Sequence, residues 1–145
     1  MLRVYLDTNV WGRPFDEQLQ RRIIEEGEAF FRILEGAHQR KYLIVGSLML
    51  EDEISQIDDK DKRKAIEAIV ELFVNERVEK FSKSIFLEIK SLGLKDKDAM
   101  HLAFAVGNLD YFITCDDKII NKGDGIEKKF GIKVVSPVEF VKEVL

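Results

Sequence analysis

The stretch Val4-Tyr5-Leu6-Asp7-Thr8-Asn9-Val10 decides how this chain reads. Its β-branched, aromatic and apolar start has the pattern of a buried strand, and the run stops abruptly on a carboxylate. In an open α/β sheet, ligands bind in the crevice beyond the carboxyl ends of the strands. Asp7 at such an end is either a turn-former, because Asp and Asn bond their own backbone, or a functional oxygen. The choice depends on whether other carboxylates reach the same edge.

Outward from this strand, placed at about residues 2–6, a loop carries Trp11, Gly12, Arg13, Pro14 and Phe15. A helix is then expected from about Glu17 to Ala37, with Leu19, Ile23, Ile24, Phe30, Phe31 and Leu34 roughly on the helical period. Lys41 to Gly46 (KYLIVG) has the continuous apolar look of a parallel strand covered on both faces, and Ser47 is the N-cap of the next helix. The charge run Asp58 to Lys64 reads as a solvated helix start leading into Ala65–Phe73. A short strand is expected from Arg77 to Phe81, then a helix from Lys83 to Leu92 stopped by Gly93. Asp96 or Lys97 opens a helix through Asp98–Gly107 (DAMHLAFAVG). Tyr111 to Thr114 is a buried strand ending on Cys115-Asp116-Asp117, and Ile132 to Val135 is the last strand. Ser136, Pro137 and Glu139 supply an N-cap, a first-turn proline and a capping-box acid. Strands alternating with helices imply an α/β/α sandwich, three layers around a central parallel sheet.

Composition bounds the rest. With 145 residues and 46% hydrophobic content, residues 1–145 are expected to form one domain with a sizeable core. No apolar run reaches the roughly 18 residues of a membrane span, and the first strand leaves no room for a signal peptide. The single cysteine, Cys115, excludes an internal disulfide framework and fits a reducing cytoplasm; the residue reads as small and buried. A net charge of −4 excludes a basic nucleic-acid coat protein, so any nucleic-acid contact requires a local patch.

The carboxylates converge. Asp7 and Asp116 both follow predicted parallel strands and therefore share one sheet edge. Ser47 starts its helix at that edge with Glu51 and Glu53 in the early turns, and Asp98 opens another helix. Such a group repels itself unless compensated. A hard divalent cation with oxygen ligands compensates it, and no Cys or His cluster argues for Zn²⁺. Glu51 and Glu53 are about 200° apart on a helix, so only one faces the site. Glu53 suits the spacing from Ser47 better. His101, one turn after Asp98, reads as a satisfied structural histidine. Trp11, Arg13 and Phe15 beside the site have the chemistry to stack bases and bind phosphate, or pack within their loop. Lys95 and Lys97 flank Asp98 as phosphate contacts or as solvated charge.

Four pieces in order, LDTN at residues 6–9, Ser47 with Glu53-Ile54, DAMHLA at 98–103 and Thr114-Cys115-Asp116, resemble the PIN-domain proteins, metal-dependent nucleases that include VapC-type toxin ribonucleases. The resemblance spans nearly the whole chain. It implies metal-binding and catalytic carboxylates at Asp7, Glu53, Asp98 and Asp116, with Asn9 and Thr114 as supporting polar groups; Arg13 and Lys97 stand beside them as the candidate substrate contacts. It implies Mg²⁺ or Mn²⁺ as cofactor, single-stranded or structured RNA as substrate, an antitoxin protein as partner and a homodimer. The chemistry would be phosphodiester hydrolysis with the ion activating water, with no covalent intermediate. The competing readings are a catalytically silent nucleic-acid-binding or scaffolding module and a phospho-accepting signalling domain. The latter needs a late-strand lysine, and the last strand ends Val135-Ser136-Pro137.

Overall fold

The computed structural model describes residues 1–145. Five parallel strands, β1 (Leu2–Leu6), β2 (Tyr42–Ser47), β3 (Val74–Val78), β4 (Tyr111–Ile113) and β5 (Lys133–Val135), form one sheet in the order β3-β2-β1-β4-β5. β1 is central and pairs in parallel with β2 and β4. Helices cover both faces, so the molecule is the expected three-layer α/β/α sandwich.

The two faces of the sheet are written in the strands at period two. Val4 and Leu6 enter one core with Tyr42, Ile44 and Ile113. Tyr5, Val45 and Phe112 point into the other. The first core is closed by α1 (Thr8–Gly12), α2 (Arg21–His38), α3 (Leu48–Ser55), α4 (Lys60–Phe73) and α9 (Pro137–Val144), the second by α5 (Lys83–Lys90), α6 (Asp96–Ala105), α7 (Asp117–Ile120) and α8 (Gly123–Phe130). From β1 to β3 the chain moves one way with helices on the first face; from β3 to β5 it moves the other way with helices on the second. Reversing direction and face together keeps one crossover hand throughout, as parallel sheets require. The reversal leaves a switch point between β1 and β4, where the crevice opens.

Four local readings are corrected. Residues 8–12 form a helix, not a loop, because the Asp7 side chain accepts from Thr8 N and caps it; a 3₁₀ turn (Arg13–Phe15) with Pro14 follows. The long helix begins at Arg21, after Glu17 and Leu19, and Leu19 is left exposed. β3 begins at Val74 directly after α4, because Val74 pairs with Ile44 and Asn75 Oδ1 accepts from Ile44 N at the register shift. The α8 helix carries Gly123 and Gly125, poor helix formers that hid it. Burial of Ile126 against the sheet overrides that propensity.

Candidate metal centre at the β1–β4 switch point

Asp7 ends β1 and is 6% exposed. Its backbone N–H donates to Ile113 O at 2.9 Å, so β4 fixes its position. Oδ1 accepts from Thr8 N at 2.8 Å, and Oδ2 accepts from the Thr114 hydroxyl at 2.8 Å and from Asn9 Nδ2 at 3.3 Å. Asn9 Oδ1 in turn accepts from Cys115 N at 3.0 Å, tying α1 to the end of β4. Both Asn9 and Thr114 are thus placed against Asp7. Burial pushes the Asp7 carboxyl above its ordinary range, and these donors and His101 only partly offset it.

Glu53 reaches the same point from α3. Ser47 caps that helix, its Oγ accepting from Leu50 N at 3.0 Å. The cap orients α3 so that Glu53 faces Asp7 while Glu51 turns outward to pair with Arg77. The Thr8 hydroxyl donates to Glu53 Oε1 at 2.5 Å, and His101 Nε2 bonds the same oxygen. Burial raises the Glu53 pKa, but the hydrogen bonds from His101 and Thr8 outweigh it and hold the carboxyl below its ordinary value.

His101 is the residue the sequence reading left out of the site. It is 2% exposed, with Nε2 against Glu53 and 3.8 Å from Asp7 Oδ1. Nδ1 is 2.8 Å from Tyr5 Oη, and Tyr5 Oη is 2.5 Å from Ser47 Oγ. A buried chain Ser47–Tyr5–His101–Glu53 therefore links the ends of β1 and β2 to α6. Burial lowers the imidazole pKa, but Glu53 and the negative charges of Asp7 and Asp98 carry it above its ordinary value. Ligand atoms of Asp7, Glu53 and His101 all lie within 4.8 Å of one another. The signal for His101 was its i, i+3 spacing from Asp98, which puts both on one face of α6.

Asp98 lines the same open cavity of about 420 Å³ as Asp7, Glu53 and His101. Burial and the neighbouring charge of Asp116 push its carboxyl up. Asp116 stands beyond it, outside the cavity lining, and its Oδ1 caps α7 by accepting from Lys118 N at 2.9 Å. The neighbouring Asp117 turns away to a double hydrogen bond with Arg22.

The expected substrate contacts are arranged differently. Arg13 donates through Nε and Nη2 to Glu26 Oε1 and through Nη1 to Asp16. Glu26 is 2% exposed, and a carboxylate buried that deeply requires a cation, so Arg13 is held away from the cavity. Trp11 is buried, its indole N–H donating to Leu6 O at 3.1 Å, so it packs rather than presenting a stacking face. Lys97 is exposed and acts on the site through its charge, which favours ionised Glu53. Lys62, read as solvated, instead lines the cavity beside Asp16 at 3.5 Å.

Asp7, Glu53 and His101 form a group that could hold a metal ion, and its carboxylate oxygens suit a hard divalent cation, with the His101 Nε2 already bonded to Glu53. No family model matches the sequence, and no curated protein matches it. Solved structures do share its architecture. FitAcB from Neisseria gonorrhoeae is 17% identical over 92% of this chain and 97% of that one, with a TM-score of 0.54. A chain of VapBC2 from Rickettsia felis, bound to a DNA fragment from their promoter, is 14% identical over 93% and 98%, at TM-score 0.60. A chain of FitAB bound to an IR36 DNA fragment is 18% identical over 93% and 95%, at 0.55. At these identities the likeness establishes a shared fold, running almost end to end in each pair.

Proposed function

We propose that this chain is a Mg²⁺- or Mn²⁺-dependent nuclease that hydrolyses phosphodiester bonds, an endoribonuclease of toxin–antitoxin type acting on single-stranded RNA. The observation that carries this reading is the convergence of Asp7, Glu53 and His101 at the switch point, with Asp98 on the same cavity wall. The fold shared with VapBC2 and FitAB supports it, as do the four sequence pieces at the strand ends and helix starts. Both of those structures contain DNA, which fits a partner protein that reads a promoter and holds the enzyme inactive. A homodimer in the cytoplasm completes the assignment; no helix is long and apolar enough to cross a membrane.

Asp7, Glu53 and Asp98 are the ligands in this reading, with Asp116 behind Asp98. The ion would polarise a phosphate oxygen and lower the pKa of a bound water. The protein's own share is orientation. Thr114 and Thr8 lock the Asp7 carboxylate through its two oxygens, and Thr8 with His101 holds Glu53. The His101 imidazolium offsets the negative charge of the paired carboxylates, with its proton shared toward Glu53.

Two measurements test this. A melting curve in EDTA and in MnCl₂ should show a rise; at one hundred times Kd, linkage gives about 2.7 kcal/mol, or roughly 5–10 °C for a chain of this length. Labelled single-stranded RNA should be cut with Mn²⁺ and left whole with EDTA. A Mn²⁺ shift with no cleavage would leave the silent binding module instead.

A further inference from the structure

On the far side of Asp98 from the metal centre lies a second cleft, of about 360 Å³, with a different lining. Its walls are Lys95, Lys118 and Lys122, its floor Gly93 and Leu94, and Asp98 is the residue it shares with the acidic cavity. In a chain of net charge −4, three lysines meet here without a carboxylate partner, whereas Arg3, Arg13, Arg22 and Arg77 are all paired. All three lysines are exposed. Three like charges in one cleft repel one another, and the single carboxylate of the lining, Asp98, which feels the charge of Lys95, offsets only part of that.

Gly93 shapes the cleft. Its φ of +95° suits a residue without Cβ, and Lys122 Nζ lies 3.6 Å from where a Cβ would stand. Lys122 is therefore laid over the bare backbone at the end of α5. Lys118 is carried by α7, whose start is capped by Asp116, and Lys95 precedes α6. The connections before and after β4 thus bring the cations to one place.

We propose that the Lys95–Lys118–Lys122 cleft binds the phosphodiester backbone of single-stranded RNA and leads it past Asp98 to the metal centre. This rests on the nuclease reading above. Lysines neutralise backbone phosphates without reading sequence. The cleft adjoins a site whose chemistry acts on the same backbone, which favours a polynucleotide over an acidic peptide. Lys62, 3.5 Å from Asp16, also lines the metal cavity. Arg13 and Trp11 are committed to the fold, so the nucleic-acid path runs on lysines.

The test is fluorescence anisotropy of a labelled 12-nucleotide oligouridylate in EDTA, with NaCl varied, using the full chain and two triple variants. K95Q/K118Q/K122Q should bind more weakly, with the slope of log K against log salt smaller by about 2, since each phosphate contact contributes ~0.7 on single strands. K41Q/K128Q/K129Q, near the amino edge of the sheet, should bind as the unaltered protein does. The Mn²⁺ melting shift should survive in both variants. Equal loss in the two variants, no binding by the unaltered protein, or equally tight binding of poly-glutamate would each overturn the proposal. Because EDTA removes the ion from this assay, loss of the cleft and loss of the metal reading are seen separately: the latter shows in the Mn²⁺ melting curve and not in the anisotropy.

Discussion

The Thr114 hydroxyl donates to Asp7 Oδ2 across 2.8 Å, joining residues 107 positions apart at the ends of adjacent parallel strands. The same oxygen of Thr114 accepts from Asp116 N at 3.1 Å. One hydroxyl thereby fixes the central carboxylate and the turn that follows β4. The switch point is held by side chains as well as by the ladder.

Asp7→Asn removes a buried charge whose protonation burial already favours. The new amide meets Asn9 Nδ2 as donor against donor, a smaller cost than the charge it replaces. Metal-free melting temperature should therefore stay equal or rise, while RNA cleavage and the Mn²⁺ shift disappear. Calorimetry with and without MnCl₂ checks this; unchanged cleavage would refute Asp7 as a ligand.

Glu51→Gln and Glu53→Gln should separate cleanly. Glu51 is spent on Arg77 at the surface, where solvent screens the pair, so its neutralisation should leave the Mn²⁺ response intact. Glu53→Gln should reduce the response at least tenfold in apparent affinity. A variant pair behaving the other way round would reassign the ligand.

The metal-free protein should show a stability plateau in mildly acidic solution. Folded Glu53 titrates below its ordinary 4.5, so its contribution is present above that pH and fades as pH falls through the lowered value. Folded His101 titrates above 6.5, so its contribution is complete below 6.5 and fades as pH rises through the raised value. Asp7 and Asp98, both raised, also favour the lower side. In EDTA the melting temperature should fall from pH 6.5 to 8.5, and His101→Gln should flatten that fall. A slope unchanged in the variant would remove His101 as its cause.

Gly36→Ala should be among the costlier core changes. A Cβ there would stand 2.3 Å from Tyr42 Oη, which donates to Ile33 O at 2.5 Å. Tyr42 is fully buried against Phe140, so it has no free direction to move. Overpacking of this kind costs about 1–3 kcal/mol. Urea denaturation measures it, and Tyr42→Phe in the same background should recover only part, because Cζ is also within 2.9 Å.

Although the α1 and α8 helices escaped it, the sequence made legible the strand order, the parallel sheet and the delivery of Asp7, Asp116 and Ser47 to one edge. Those features follow from side-chain periodicity and from parallel strands sharing a direction, both local properties. The spacing from Ser47 already favoured Glu53 over Glu51, and the rotation of α3 turns Glu51 outward to Arg77; the entry of His101 required the Tyr5 and Ser47 hydroxyls beneath it. Buried Glu26 withdrew Arg13, a decision made by desolvation of a charge that no spacing rule registers. Lys62 and the Lys95–Lys118–Lys122 cleft arise likewise only when separate elements fold against one another, since electrostatic partnership depends on distance in space rather than along the chain.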